Sequence, residues 1–161
     1  MLILVKNSHS YFSEVLQNAL EKSDVSLSES AQVYIIYMLD DFSRSEKIFS
    51  GVEYGEQIYF FDLLNRALVS HDQEALRIFR HMGDVSLYLC GFFKEFTQNK
   101  LISVSYYTDM GISAYAQASE ISKAYTAASS ATFLELARFI LYPKVPTNSR
   151  NASNFVGLGS S

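Results

Sequence analysis

The sequence predicts an all-α fold: a single bundle of six or seven helices over residues 1–142, followed by a disordered tail over residues 143–161. Three observations lead there. Only two prolines and seven glycines occur in 161 residues, and the first proline is Pro143. The body of the chain therefore lacks the residues that end or weaken helices. Apolar residues recur three and four positions apart through most of that body. Beyond Pro143 the chain turns to VPTNSRNASNFVGLGSS, polar and without periodicity, which buries too little apolar surface to hold a fold.

The elements follow in order. The first helix is expected over Tyr11 to Lys22, with Phe12, Val15, Leu16, Ala19 and Leu20 on one face. Ser26-Leu27-Ser28-Glu29 reads as a capping box, in which Ser26 caps and Glu29 reaches back. A second helix then covers Ser28 to Ser43; its centre, VYIIYML, is apolar nearly all round, which predicts a central position in the bundle. The third covers Tyr54 to Val69. Within it the aromatic and β-branched residues of Gln57 to Phe61 make a strand the rival reading, but the length of the pattern and the lack of a hairpin partner favour helix. Ser70-His71-Asp72-Gln73 is a second capping box, with Asp72 as a competing cap, and opens a fourth helix. Gly83-Asp84 stops or kinks that helix, and a fifth, apolar segment spans Asp84 to Phe96. Gln98-Asn99-Lys100 reads as a turn. The sixth helix covers Ser103 to Lys123, and the last covers Ser130 to Leu141, ended by Tyr142-Pro143.

Composition narrows the function classes. With 48% hydrophobic and 19% charged residues, the chain suits one globular domain with a substantial core. It has 11 tyrosines and 12 phenylalanines but no tryptophan, so many phenols need partners. The net charge of −4, without any run of Lys and Arg, disfavours nucleic-acid binding. The one cysteine, Cys90 in LYLCGFF, reads as a small buried hydrophobe in a reduced, cytoplasmic setting. The apolar start, MLILV, is too short for a signal-peptide core. No stretch approaches the roughly 20 apolar residues that span a bilayer, so membrane insertion is not expected.

Candidate chemistry concentrates between Arg77 and Tyr115. Asp84 follows a glycine and precedes an apolar run, the position of a helix N-cap. It can equally form a buried ion pair or a functional pair with Arg80, four residues earlier. His81, just before Gly83, suits a helix C-terminus, where positive charge is favoured. Glu74 lies seven residues before it on the same face, which is enough for two metal ligands but short of a site. Arg77 and Arg80 can clamp an anion or form exposed salt bridges. Asp40-Asp41 either cap the turn that follows or face Arg44. Tyr106, Asp109, Ser113 and Gln117 form a polar stripe opposite Val104, Tyr107, Gly111, Ala114, Ala118 and Ile121. That stripe is a solvated face, or else Tyr106 and Asp109 line a pocket. No GxSxG, P-loop, GxGxxG, HExxH or CxxC pattern occurs, and the residues name no cofactor or metal.

The blocks GDVSLYLCGFF and YYTDMGISAY, within Gly83 to Tyr115, resemble those of uncharacterised bacterial all-helical proteins with a GDxxLxxxGFF block followed by a YYxxMGxxAY block. The resemblance implies a helical fold, a bacterial origin and a role for Asp84, Gly91, Phe92, Tyr106, Tyr107, Gly111 and Tyr115, but no activity. Gly91 and Gly111 then suit close contacts between two packed helices, with Asp84 and the tyrosines joining the polar ends.

The functional expectation is a non-enzymatic binding or regulatory module that acts through protein partners or self-association as a homodimer, since aromatic residues are enriched at interfaces. Arg80, His81, Asp84, Phe92, Phe93, Tyr106, Tyr107, Asp109 and Tyr115 are its candidate ligand or interface residues. The alternative is a carrier or sensor of a small apolar ligand, with a pocket between helices lined by Phe92, Phe93, Tyr106, Tyr107 and Tyr115. The third reading is a hydrolytic or metal-dependent enzyme using Asp84, Asp109 and His81.

Overall fold

The computed structural model describes residues 7–23, 25–44, 56–92 and 104–141. These form six α-helices: α1 (Ser8–Ser23), α2 (Glu29–Arg44), α3 (Glu56–Val69), α4 (Asp72–Leu87), α5 (Val104–Ser122) and α6 (Ala127–Leu141). A π-helical turn, Tyr88–Phe92, extends α4. The all-α fold is as expected, and Gln57 to Phe61 is helix rather than strand. The C-terminal tail, the turn at Gln98-Asn99-Lys100 and Phe93 lie outside the described residues.

Side-chain caps place the helix starts, and they correct several boundaries. Asn7 caps α1, its Oδ1 accepting from the Ser10 amide at 2.8 Å, so the helix begins three residues earlier than the apolar face suggests. Ser28, not Ser26, caps α2: its Oγ accepts from the Ala31 amide at 3.2 Å. The return bond comes from another helix, because the Ser28 amide donates to Glu135 Oε2 on α6 at 3.0 Å. Glu29 therefore does not close a box. Ser28→Ala is expected to cost about 1 kcal/mol, read as a lower urea midpoint at unchanged slope. In the second proposed box, Ser70 Oγ instead donates back to the Arg66 carbonyl at 2.5 Å. His71 is the N-cap of α4 without a side-chain bond. Thr126 caps α6 by accepting from the Ser129 amide at 3.2 Å, which starts that helix before Ser130.

The larger correction lies at Gly83-Asp84. Neither residue stops α4, which runs unbroken from Asp72 to Leu87 and into the π-turn. The fifth segment is thus a continuation of the fourth helix, and Asp84 is a buried residue inside it rather than a cap. His81 likewise sits inside α4, not at its C-terminus.

The helices α4 and α5 form the central pair, with α6 packed on α5, α3 on α4, α1 on α2, and α2 closing onto α6. Three contacts set the antiparallel register of α4 and α5. The Tyr115 ring lies against Gly83, and Ser86 lies against Gly111. Thr108 Oγ1 donates to Cys90 Sγ at 3.7 Å. The two sequence blocks do pair across the core, and Gly111 is a close-contact point, as expected. Gly83 is a second such point, and its role was not apparent from the sequence. Cys90 is buried, as expected. The core around this pair includes the fully buried Phe60, Tyr107, Tyr115, Leu87, Leu89 and Leu136. α2 is not central: Ala31, Ile35, Met38, Leu39 and Phe42 are buried, but Val33 is 45% and Tyr37 58% exposed. An all-apolar helix is covered only where neighbours reach it, and α1, α4 and α6 leave this ridge of α2 bare.

Candidate functional site

Asp84 is the organising charge. Only 7% of its surface is exposed, so its carboxylate needs partners. Two phenols supply them. Tyr34 on α2 donates to Asp84 Oδ1 at 2.6 Å, and Tyr115 on α5 donates to the same oxygen at 2.7 Å. Arg80, one turn before Asp84, donates from Nε to the Tyr34 hydroxyl at 3.0 Å and stands 3.9 Å from Asp84 Oδ2. Its guanidinium also lies 5.4 Å from the centre of the Tyr34 ring, within cation–π range. The network ties α2, α4 and α5 at one point.

Helical periodicity explains how each group arrives. Arg80 and Asp84 share a face of α4 at a spacing of four. Gly83 lets the Tyr115 ring approach α4 closely enough to reach Asp84, and Phe133 on α6 stacks on that ring with centroids 6.1 Å apart. The Tyr34 ring meets the same Phe133 edge-on at 6.0 Å.

Burial pushes the Asp84 carboxyl up to about 6, against the opposing pull of the Tyr34 and Tyr115 hydrogen bonds and of Arg80; Asp41 adds to the rise. The group is thus mostly ionised at neutral pH but poised to take a proton in mild acid. Burial and the adjacent Asp84 push both phenols far above their ordinary values, so both stay protonated donors. Burial pushes His81 down, which keeps it neutral at neutral pH.

The Asp84 side of α2 opens into a groove of about 310 Å³ lined by Ser30, Val33, Tyr34, Tyr37, Met38, Asp41, Phe42, Arg80 and Asp84. A second groove of about 390 Å³ lies on the other side of the same ridge, against the start of α1, and shares Val33 and Tyr37 with the first. At its edge, His9 meets the Tyr37 ring edge-on at 4.6 Å. His9 Nε2 is also 3.4 Å from Asp40 Oδ2. Asp40 is buried, and Arg44 Nη2 stands 3.2 Å from it, so it faces Arg44 as one of the two expectations had it. Donation from Ser8, then the charges of Arg44 and His9, hold its carboxyl below the ordinary value despite burial.

The sequence-derived candidates separate in space. Arg80, Asp84 and Tyr115 come together. His81 turns toward Phe42, with ring centroids 6.4 Å apart. Tyr107 is buried in the core, where Phe60 and Tyr106 pack on it at 5.7 and 5.6 Å. Asp109, Ser113 and Gln117 are exposed, so the stripe they mark is solvated, with Tyr106 half-buried at its edge. Arg77 and Arg80 form no clamp: Arg77 donates to Glu74 at 2.6 Å, away from the Arg80 network. Phe92 belongs to the π-turn, and Phe93 lies outside the described residues. Tyr34 is the participant the sequence hid. It stands in an apolar run, and the only available signal was that a largely buried phenol needs a partner.

Among the described residues, no group of three or more His, Cys, Asp or Glu is placed to hold a metal ion, and no helix is long and apolar enough to cross a membrane. The chain matches no protein-family model, no curated protein and no solved structure.

Proposed function

We propose that this protein is a non-enzymatic binding module that docks a partner protein on the α2 ridge, seating a basic side chain of the partner in the groove beside Asp84 and Asp41. One observation carries the reading: the groove holds two carboxylates and one cation, and that cation, Arg80, is already committed to Tyr34. Asp84 Oδ2 accepts no hydrogen bond among the described residues, because both phenols use Oδ1. A donor from outside completes the site, and a positive one is favoured by charge.

The surroundings suit a protein more than a small molecule. Val33 and Tyr37 stand exposed between two adjoining grooves, the relief into which the side-chain ridges of another helix fit. Tyrosine is also among the residues that dominate interface energies. A binding role is preferred over a catalytic one because both phenols stay protonated and point inward to Asp84. Neither phenol bonded to the carboxylate can therefore act as a base beside it at neutral pH. The single cysteine favours a cytoplasmic setting for this module.

The test uses two helical amphipathic peptides, one of leucine and lysine and its leucine–glutamate twin, titrated into the isotope-labelled chain and followed by amide chemical shifts. The lysine peptide is expected to shift Ser30 to Phe42 and Arg80 to Asp84 saturably, with Asp41→Lys weakening it about tenfold. Equal binding of the two peptides, or shifts confined to other helices, overturns the reading. Butylamine serves as a small control probe; saturation by it as tight as by the peptide shows a small-amine site instead.

A further inference from the structure

A second apolar surface lies on α3. The inner face of this helix, Phe60, Leu63 and Ala67, is buried in the core. Its outer face carries Phe61 at 64%, Leu68 at 68% and Val69 at 87% exposure. Phe61 and Leu68 are two turns apart on one stripe. Exposed Asn65 lies between them, and exposed Asp62 and Arg66, one turn apart, run along one edge of the stripe. A helix face turned to water is ordinarily polar, and clustered exposed apolar residues mark an interaction site.

We infer that α3 is a self-association surface on which two copies of this chain pair their α3 helices antiparallel, about a two-fold axis passing at Asn65. The stripe is complementary to itself in that orientation. The two-fold rotation lays Phe61 of one copy over the Leu68–Val69 end of the other and repeats the contact at the opposite end, as an isologous interface requires. Asn65 meets its own counterpart, and a carboxamide both donates and accepts. A lone polar residue at the centre of an apolar helix seam fixes its register. Asp62 of each copy comes beside Arg66 of the other, so opposite charges meet twice along one edge of the seam. A parallel pairing instead carries the two charged edges to opposite sides of the seam, where neither charge meets a partner.

Arg66 is available for this contact. In the single chain its Nη2 stands 3.9 Å from Glu74 Oε1, beyond hydrogen-bond reach. Asp62 makes no ion pair among the described residues. The inference is independent of the α2 reading, since no α3 residue lines either groove, and the pairing leaves the ridge open in both copies.

Sedimentation velocity of the full chain over a wide concentration range tests it. The expected result is a monomer–dimer equilibrium that Phe61→Lys weakens at least about tenfold. Asp62→Arg alone also weakens it, by setting like charges together. Adding Arg66→Asp restores association to within about threefold of the wild type. All three positions are exposed, so the variants should keep the wild-type circular dichroism. A chain that stays monomeric throughout, or a dimer indifferent to Phe61→Lys, overturns the surface. A double variant that associates no more strongly than Asp62→Arg alone overturns the antiparallel arrangement.

Discussion

Gly83→Ala is expected to destabilise the protein by about 3 kcal/mol, the opposite sign to the gain of about 1 kcal/mol that this change brings in an ordinary helix interior. A Cβ at Gly83 falls 2.6 Å from Cδ1 and Cε1 of Tyr115 and 2.8 Å from its Cζ. The ring cannot swing aside cheaply, because it is fully buried and stacked on Phe133. Overpacking a tight core costs roughly 1–3 kcal/mol. Displacing the phenol also breaks its bond to a buried carboxylate, a charged hydrogen bond contributing about 1.5–3 kcal/mol. Urea unfolding at neutral pH measures the sum. An unchanged or raised midpoint would falsify the close approach on which the Asp84 site is built.

Replacing Asp84 by asparagine should remove a pH dependence of about 3 kcal/mol. The folded protein raises this carboxyl from the ordinary 3.8 to about 6, so it favours the protonated form. The stability this contributes is fully present below about pH 3.8 and is lost as pH rises through about 6. A shift of roughly two units corresponds to about 3 kcal/mol. Asparagine keeps an acceptor for Tyr34 and Tyr115 but cannot ionise. The stability of the variant relative to the wild type should therefore grow by about 3 kcal/mol between about pH 3 and pH 7. Asp40 titrates with the opposite sign, since its carboxyl is held low, but it is present in both proteins and cancels in the difference. Urea curves at the two pH values decide the matter: a difference that does not change with pH means the carboxylate is not desolvated as the geometry requires.

Some of this site was legible in the chain itself. The spacing of Arg80 and Asp84 puts them on one helical face whatever the fold, and the paired blocks brought Tyr115 and Gly111 into consideration. Other features were not legible. Gly83-Asp84 looks locally like a helix end, because a glycine followed by an aspartate before an apolar run satisfies the local requirements of a stop and a cap. The helix continues because the glycine receives a ring from α5 and the aspartate finds two phenols, and both partners are distant in sequence. Tyr34 was hidden for the same reason. The Ser26 capping box failed by two residues because the bond returned to Ser28 comes from Glu135 on α6.

By itself, then, the sequence determined the helical class, the approximate helix boundaries except the end of α4, the burial of Cys90 and the solvated stripe on α5. Each of these depends on residues within a few positions of one another, where periodicity and backbone hydrogen bonding act locally. Only the tertiary structure decided that Asp84 is a buried charge shared by three helices, that α2 keeps an exposed ridge between two grooves, and that α3 bares Phe61 and Leu68. Each of these depends on which surfaces neighbouring helices cover. Coverage follows from packing across the whole chain, and no local pattern records it.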